Sequence, residues 1–117
     1  MATPNLINAT TINGLTSVGA VTTAGITVIT NAAASGKVHK INSLLVSNIN
    51  GTSAATVTVF IARGGINYRI AYQMSVPAAS TLDLVNKTIY LNEGDALNMT
   101  ASVNSYLEAV VSYEEIS

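Results

Sequence analysis

From Gly36 onward, apolar and polar residues alternate with period two, broken at short intervals by turn residues, and no stretch holds the 3.6-residue period of an amphipathic helix. In "INYRIAYQMSV" the residues Tyr68, Ile70, Tyr72, Met74 and Val76 share one face, and Asn67, Arg69, Ala71, Gln73 and Ser75 share the other. That alternation predicts an antiparallel strand with one wet side. "YLEAVVSYEEI" sets Leu107, Ala109, Val111 and Tyr113 against Tyr106, Glu108, Ser112 and Glu114, and "ATVTVFIAR" sets Val57, Val59 and Ile61 against Thr56, Thr58 and Phe60. "INSLLVSN" is apolar on both faces around Leu44 to Val46, the mark of a central strand, and the runs "TLDLV", "TIYL" and "ALNMTA" complete the set. Between them lie "NING" (Asn48 to Gly51), "RGG" (Arg63 to Gly65), "VPAAS" (Val76 to Ser80) and "NEGD" (Asn92 to Asp95), all turn chemistry. Short strands at this spacing predict an all-β, antiparallel β-sandwich or jelly-roll-like single domain.

The opening 35 residues differ, since they contain no Asp, Glu, Lys, Arg or His. Disordered tails are charged and poor in apolar residues, whereas this segment is dense in Ile, Leu and Val. Left in water, an uncharged apolar segment is an aggregation hazard. The expectation is an N-terminal arm over residues 1–35 that either adds strands to its own sandwich or pairs with a neighbour, with "GITVITN" as its best strand and "NAAASG" as the joint to a sandwich over 36–117. Its candidate contact residues are Leu6, Ile7, Ile12, Leu15, Val18, Ile26 and Val28.

Composition narrows the function. The 117 residues suit one domain, and charged residues make up 9% of them, far below the quarter usual in globular chains. The surface is therefore polar but largely uncharged. A formal net charge of −1 supplies no field to gather phosphates or acidic lipids, which argues against nucleic-acid and membrane partners. With no cysteine and a single histidine, thiolate catalysis, disulfides and the usual zinc sets are all excluded.

Few residues remain for chemistry. The "NEGD" turn offers Glu93 and Asp95 to a hard cation, with Asn92 and Asn98 as further side-chain oxygens, but a calcium site needs about six or more. A turn explains the same residues, with Gly94 supplying positive φ and Asp95 bonding backbone N–H groups, so no metal and no cofactor is expected. His39, between Lys37 and Lys40, has no orienting carboxylate or nucleophile in a recognisable motif and is expected to be an exposed strand histidine. "RGG" with Tyr68 and Arg69 hints at base stacking, yet two arginines and three lysines are too few for a polyanion groove. The five tyrosines lie mostly on the apolar side of their strands, which favours core and rim packing over a sugar platform. No catalytic residue emerges, and the chain does not read as an enzyme.

The segments "KINSLLVSNINGTSAATVTVFIAR" and "IAYQMSVPAASTLDLVNKTIYLNEGDALNMTASVNSYLEAVVSYEEIS" resemble small virion structural proteins of tailed bacteriophages, including phages of aquatic bacteria and cyanobacteria. The shared order is a "KI-x-S-L" strand, an N-G-T turn, a "VPA-x-S-T-L" corner, "IYLxEGDxL" and a terminal "LEAVVSYEEI" strand, covering most of residues 37–117. The resemblance implies a virion protein synthesised in the host cytoplasm, a capsid decoration or cement protein that stabilises the shell. Its implied partners are the major capsid protein and its own copies, as a homotrimer. A neck, tail or fibre component, and a receptor- or glycan-binding β-sandwich module, remain the alternatives.

Overall fold

A computed structural model describes residues 8–85 and 87–117, so Leu6 and Ile7 of the candidate contact set lie outside the described residues. The strands are β1 (Ile12–Val21), β2 (Ile26–Thr30), β3 (Val38–Asn48), β4 (Ala55–Arg63), β5 (Ile66–Val76), β6 (Thr81–Asp83), β7 (Ile89–Leu91), β8 (Ala96–Ala101) and β9 (Leu107–Ile116). Sheet A has the order β1-β9-β3, and along the far edge of β3 lie β6, opposite Leu45 to Ser47, and β7, opposite His39 to Ile41. Sheet B has the order β2-β8-β4-β5. All pairings are antiparallel. Taken as one strand interrupted between Asp83 and Ile89, β6 and β7 complete the eight-strand order of a jelly roll.

Alternation decides which side chains meet between the sheets. From sheet A, Val21, Ile41, Leu44, Val46, Leu91, Leu107 and Val111 are buried; from sheet B, Ile29, Val57, Val59, Leu97 and Met99 face them. Each Val, Leu or Ile removed from water in this way contributes on the order of 1.5–3 kcal/mol. No Phe or Tyr ring is buried among the described residues, so apart from Met99 and His39 the core is aliphatic. The central position of β3 matches its two apolar faces: Leu44 and Val46 point inward, while Leu45, opposite Val110 of β9, is half-buried on the outside.

The described strands of the uncharged opening segment pair within the same chain. β1 runs the length of β9 from Ile12↔Ile116 to Val21↔Leu107, and β2 pairs with β8. Ser17 Oγ donates to the Val28 carbonyl at 2.8 Å, tying the two strands together across the sheets. The chain thus enters both sheets before Ser35, and "NAAASG" is a connection between sheets.

Strand β5 departs from the simple alternation. Its pairing with β4 slips between Val57 and Val59 and again between Val59 and Phe60. Gln73 adopts a left-handed φ of +48°, and its N–H donates to Thr58 Oγ1 at 3.0 Å. Extra residues in one strand shift its faces. As a result Ala71, opposite Val59, joins the core face and Tyr72 is left exposed, whereas Tyr68 and Met74, opposite Ile61 and Val57, keep the core side and are exposed because β5 is the edge of the sheet. The expected packing role therefore fails for Tyr68, Tyr72 and also Tyr90, and holds only for the half-buried Tyr106 and Tyr113.

Candidate functional site

Two long strands carry exposed apolar side chains at opposite borders of the sandwich. On β1, at the free edge of sheet A, Ile12 and Val18 share the outer face, and Val18 is 70% exposed. Val18 lies opposite Val110, and Val110 opposite Leu45, forming an apolar row across three strands. Leu15 projects from the other face of β1, opposite Tyr113, and remains exposed because the inner face is less covered toward this end of the strand. The candidate contact residues on β2 sit differently: Ile26 and Val28 are half-buried against the core. The second border is β5, at the free edge of sheet B, where Ile66, Tyr68, Tyr72 and Met74 are all exposed. Sequence alternation had assigned three of these four to a single apolar face without showing that the face was open.

The ion pairs among the described residues gather at one end of the sandwich. The β4–β5 hairpin closes on Gly64 and Gly65, with φ of +60° and +79°, the two-residue turn that demands left-handed backbone at both positions. This turn brings Arg63 beside the "NEGD" turn. Arg63 Nε and Nη2 donate to Asp95 Oδ1 and Oδ2 at 2.7 and 2.6 Å, and the Asn92 N–H donates to Oδ2 at 2.8 Å. Burial by itself would raise the Asp95 pKa, but the Arg63 hydrogen bonds, the Asn92 N–H and the Arg63 charge outweigh it and hold it below the ordinary carboxylate value. Both Asp95 oxygens are thus engaged in structure. Glu93 Oε2 accepts from the Gly36 N–H at 2.8 Å, fastening the β2–β3 connection to the same turn. Among the described residues no group of three or more His, Asp or Glu side chains is placed to hold a metal ion.

His39 is not the exposed histidine its lysine neighbours suggested. It is 5% exposed, because His39 and Ile41 share the inner face of β3 while Lys40 faces out. Its ring tilts against Tyr113 at a centroid distance of 5.5 Å, and Nε2 lies 3.4 Å from Glu115 Oε2. Burial lowers its pKa, opposed by Glu115 and assisted by Lys37, whose Nζ sits 3.1 Å from Glu115 Oε1. With its one carboxylate neighbour already shared with a lysine, this histidine is a packed, neutral core member.

A third arrangement was not legible in the sequence. The registers Thr27↔Asn98, Asn98↔Phe60 and Phe60↔Arg69 place these four side chains in one row across the outer face of sheet B. A shallow depression of about 230 Å³ lies along part of this row. The one available signal was Phe60 itself, an aromatic residue on the threonine face of "ATVTVFIAR".

No protein-family model and no curated protein matches the sequence. Among solved structures, the chain is similar to one from Bacillus endospore appendages, which form a novel family of disulfide-linked pili: TM-score 0.54, 11% identity, covering 99% of this chain and 95% of that one. At that identity the likeness establishes a shared fold, an all-β sandwich spanning nearly the full length of both chains.

Proposed function

We propose that the protein is a non-enzymatic structural subunit that works through contacts with its own copies and with a larger assembly, and specifically a decoration or cement protein of a bacteriophage capsid. The observation that carries this reading is the pair of open borders: β1 with Ile12 and Val18, β5 with Ile66, Tyr68, Tyr72 and Met74. An interface built on such residues buries apolar and aromatic area while desolvating almost no charge, the composition favoured at interface centres. The resemblance of residues 37–117 to virion proteins supports the particle assignment, and the appendage subunit with the same fold supports self-association in general. Those appendages form disulfide-linked pili; the present 117 residues have no cysteine, so any assembly they form is held without disulfides.

The neck, tail or fibre reading shares these contacts and differs in stoichiometry. Sedimentation of the purified protein over a wide concentration range is expected to show a homotrimer, and copy counting in particles is expected to show hundreds of subunits. A strictly monomeric species in both settings would overturn the assembly reading. A dozen copies or fewer would move the protein from shell to neck or tail. Val18→Glu, at an outward position, should weaken association without altering the melting temperature of the subunit.

A further inference from the structure

We infer that the outer face of sheet B holds a subsite for a carboxylated sugar, with Phe60 and Asn98 receiving the ring and Arg69 the carboxylate. Phe60 is the only phenylalanine in the chain and is half-buried among hydrogen-bonding residues: Thr27 and Thr100 line the same depression. An apolar ring beside hydroxyl and amide groups matches a pyranose, which offers a C–H face and a rim of hydroxyls; few other ligands present both to an open, shallow site.

Two observations go beyond the shape. Asn98 also lines the depression, and its Oδ1 is closed off from water with no hydrogen-bond partner. A buried acceptor left unmet is unfavourable, and no hydrogen bond resists turning of this amide toward an incoming hydroxyl. Arg69 forms no ion pair among the described residues, and its guanidinium lies 5.5 Å from the Tyr72 ring centroid. Stacking on a tyrosine steadies the planar fork and leaves its N–H groups free for bidentate contact with a carboxylate. Arg69 and Asn98 stand two strand spacings apart, roughly 10 Å, so the ligand is at least a disaccharide with its acid group on the β5 side. A polyphosphate chain is disfavoured because, among the described residues, Arg69 is the one cation in this row, in a chain of net charge −1.

The test is an amide-resolved NMR titration with digalacturonate, and with its methyl ester as an uncharged ligand of nearly the same shape. Saturable shifts are expected at Thr27, Phe60, Arg69 and Asn98, with the acid bound about tenfold more tightly than the ester, the worth of one charge-assisted contact. Arg69→Gln should erase that preference and leave ester binding unchanged. Asn98→Ala should weaken both ligands, with the thermal melt recorded alongside to establish that the variant is folded. Absence of saturable shifts at these four residues, an acid preference that survives Arg69→Gln, or tighter binding of a single-stranded oligonucleotide than of digalacturonate would each overturn the assignment. The titration needs only the free subunit, so its failure leaves the assembly reading standing.

Discussion

The two ends of the sandwich solve one problem with different chemistry. At each end a buried asparagine ties a loop to a strand terminus. Asn31 Nδ2 donates to the carbonyls of Lys37 and Leu91 at 2.9 and 3.0 Å, and its Oδ1 accepts from Ser35 Oγ at 2.6 Å. Asn48 Nδ2 donates to the carbonyls of Ser53 and Val76 at 2.9 and 3.0 Å, and its Oδ1 accepts from the Asn50 N–H at 2.9 Å. Around Asn31 the chain adds charge: Arg63 with Asp95, Glu93 on Gly36, and Lys37 with Glu115. Around Asn48 the loops 22–25, 49–54, 77–80 and 102–106 contain no charged residue at all, and they are joined by bonds such as Ile49 N–H to the Tyr106 carbonyl at 2.7 Å and Thr23 N–H to Asn104 Oδ1 at 2.9 Å. Neutral amides suffice to close a sandwich end, so the charges at the other end add a dependence on pH and salt that the asparagine alone would not bring.

The comparison is broken most directly at the asparagines. Asn31→Ala and Asn48→Ala each strand one buried carbonyl, of Leu91 or Val76, and one part-buried carbonyl, and are each expected to lower stability by about 2–3 kcal/mol, at roughly 1–3 kcal/mol per unmet buried group. Urea denaturation midpoints check this; a marked difference between the two variants would show that the ionic shell carries the Asn31 end.

Asp95→Ala comes next, at about 2 kcal/mol near neutral pH for a buried carboxylate with three donors. The folded pKa of Asp95 is depressed, so its contribution is present above the unfolded value of about 3.8 and is lost as pH falls through the lower folded value. The gap between wild type and variant should therefore close in strong acid, and a constant gap would contradict the ion-pair account.

A smaller step belongs to His39, whose folded pKa is also lowered. Below the unfolded value of 6.5 the unfolded chain takes up the proton first, so stability falls as pH drops from there toward the folded value. His39→Leu, leaving Glu115 to Lys37, should flatten that part of a melting-temperature profile; an unchanged slope would assign it to other groups. The smallest effect is that of Lys40→Ala, which removes the 3.6 Å surface pair with Glu114 and should cost no more than about 0.5 kcal/mol, vanishing in high salt.

The sandwich was legible because period-two alternation survives wherever a strand is regular. The runs read as "ATVTVFIAR" and "ALNMTA" are β4 and β8 residue for residue, and "GITVITN" contains β2. Alternation misled where regularity is broken without a glycine to mark it: the bulged conformation at Gln73 brings Ala71, rather than Tyr72, onto the core face with Met74 and Val76. It misled again at His39, where flanking lysines suggested water although residues 39 and 41 share the buried face. Of the candidate contact set, Ile12, Leu15 and Val18 stand exposed on β1, while Ile26 and Val28 lean on the core, a distinction set by the face each residue takes and how far that face is covered. The Thr27–Asn98–Phe60–Arg69 row was beyond reach for a different reason, since it depends on the mutual register of four strands from distant parts of the chain.

Strand β9, last in sequence order, lies between β1 and β3 in sheet A. During synthesis β1 has no neighbour to pair with until β9 has left the ribosome, so sheet A closes last and in one event. Pairing that joins Ile12 to Ile116 is as non-local as this fold allows, which predicts slow folding. Until closure, the nascent chain displays a ten-residue strand without a single charge, open to capture by a neighbouring nascent chain on the same message. The lack of charge that suits these borders to building an assembly thus makes their timing the hazard, and growth temperature a sensitive control on soluble yield.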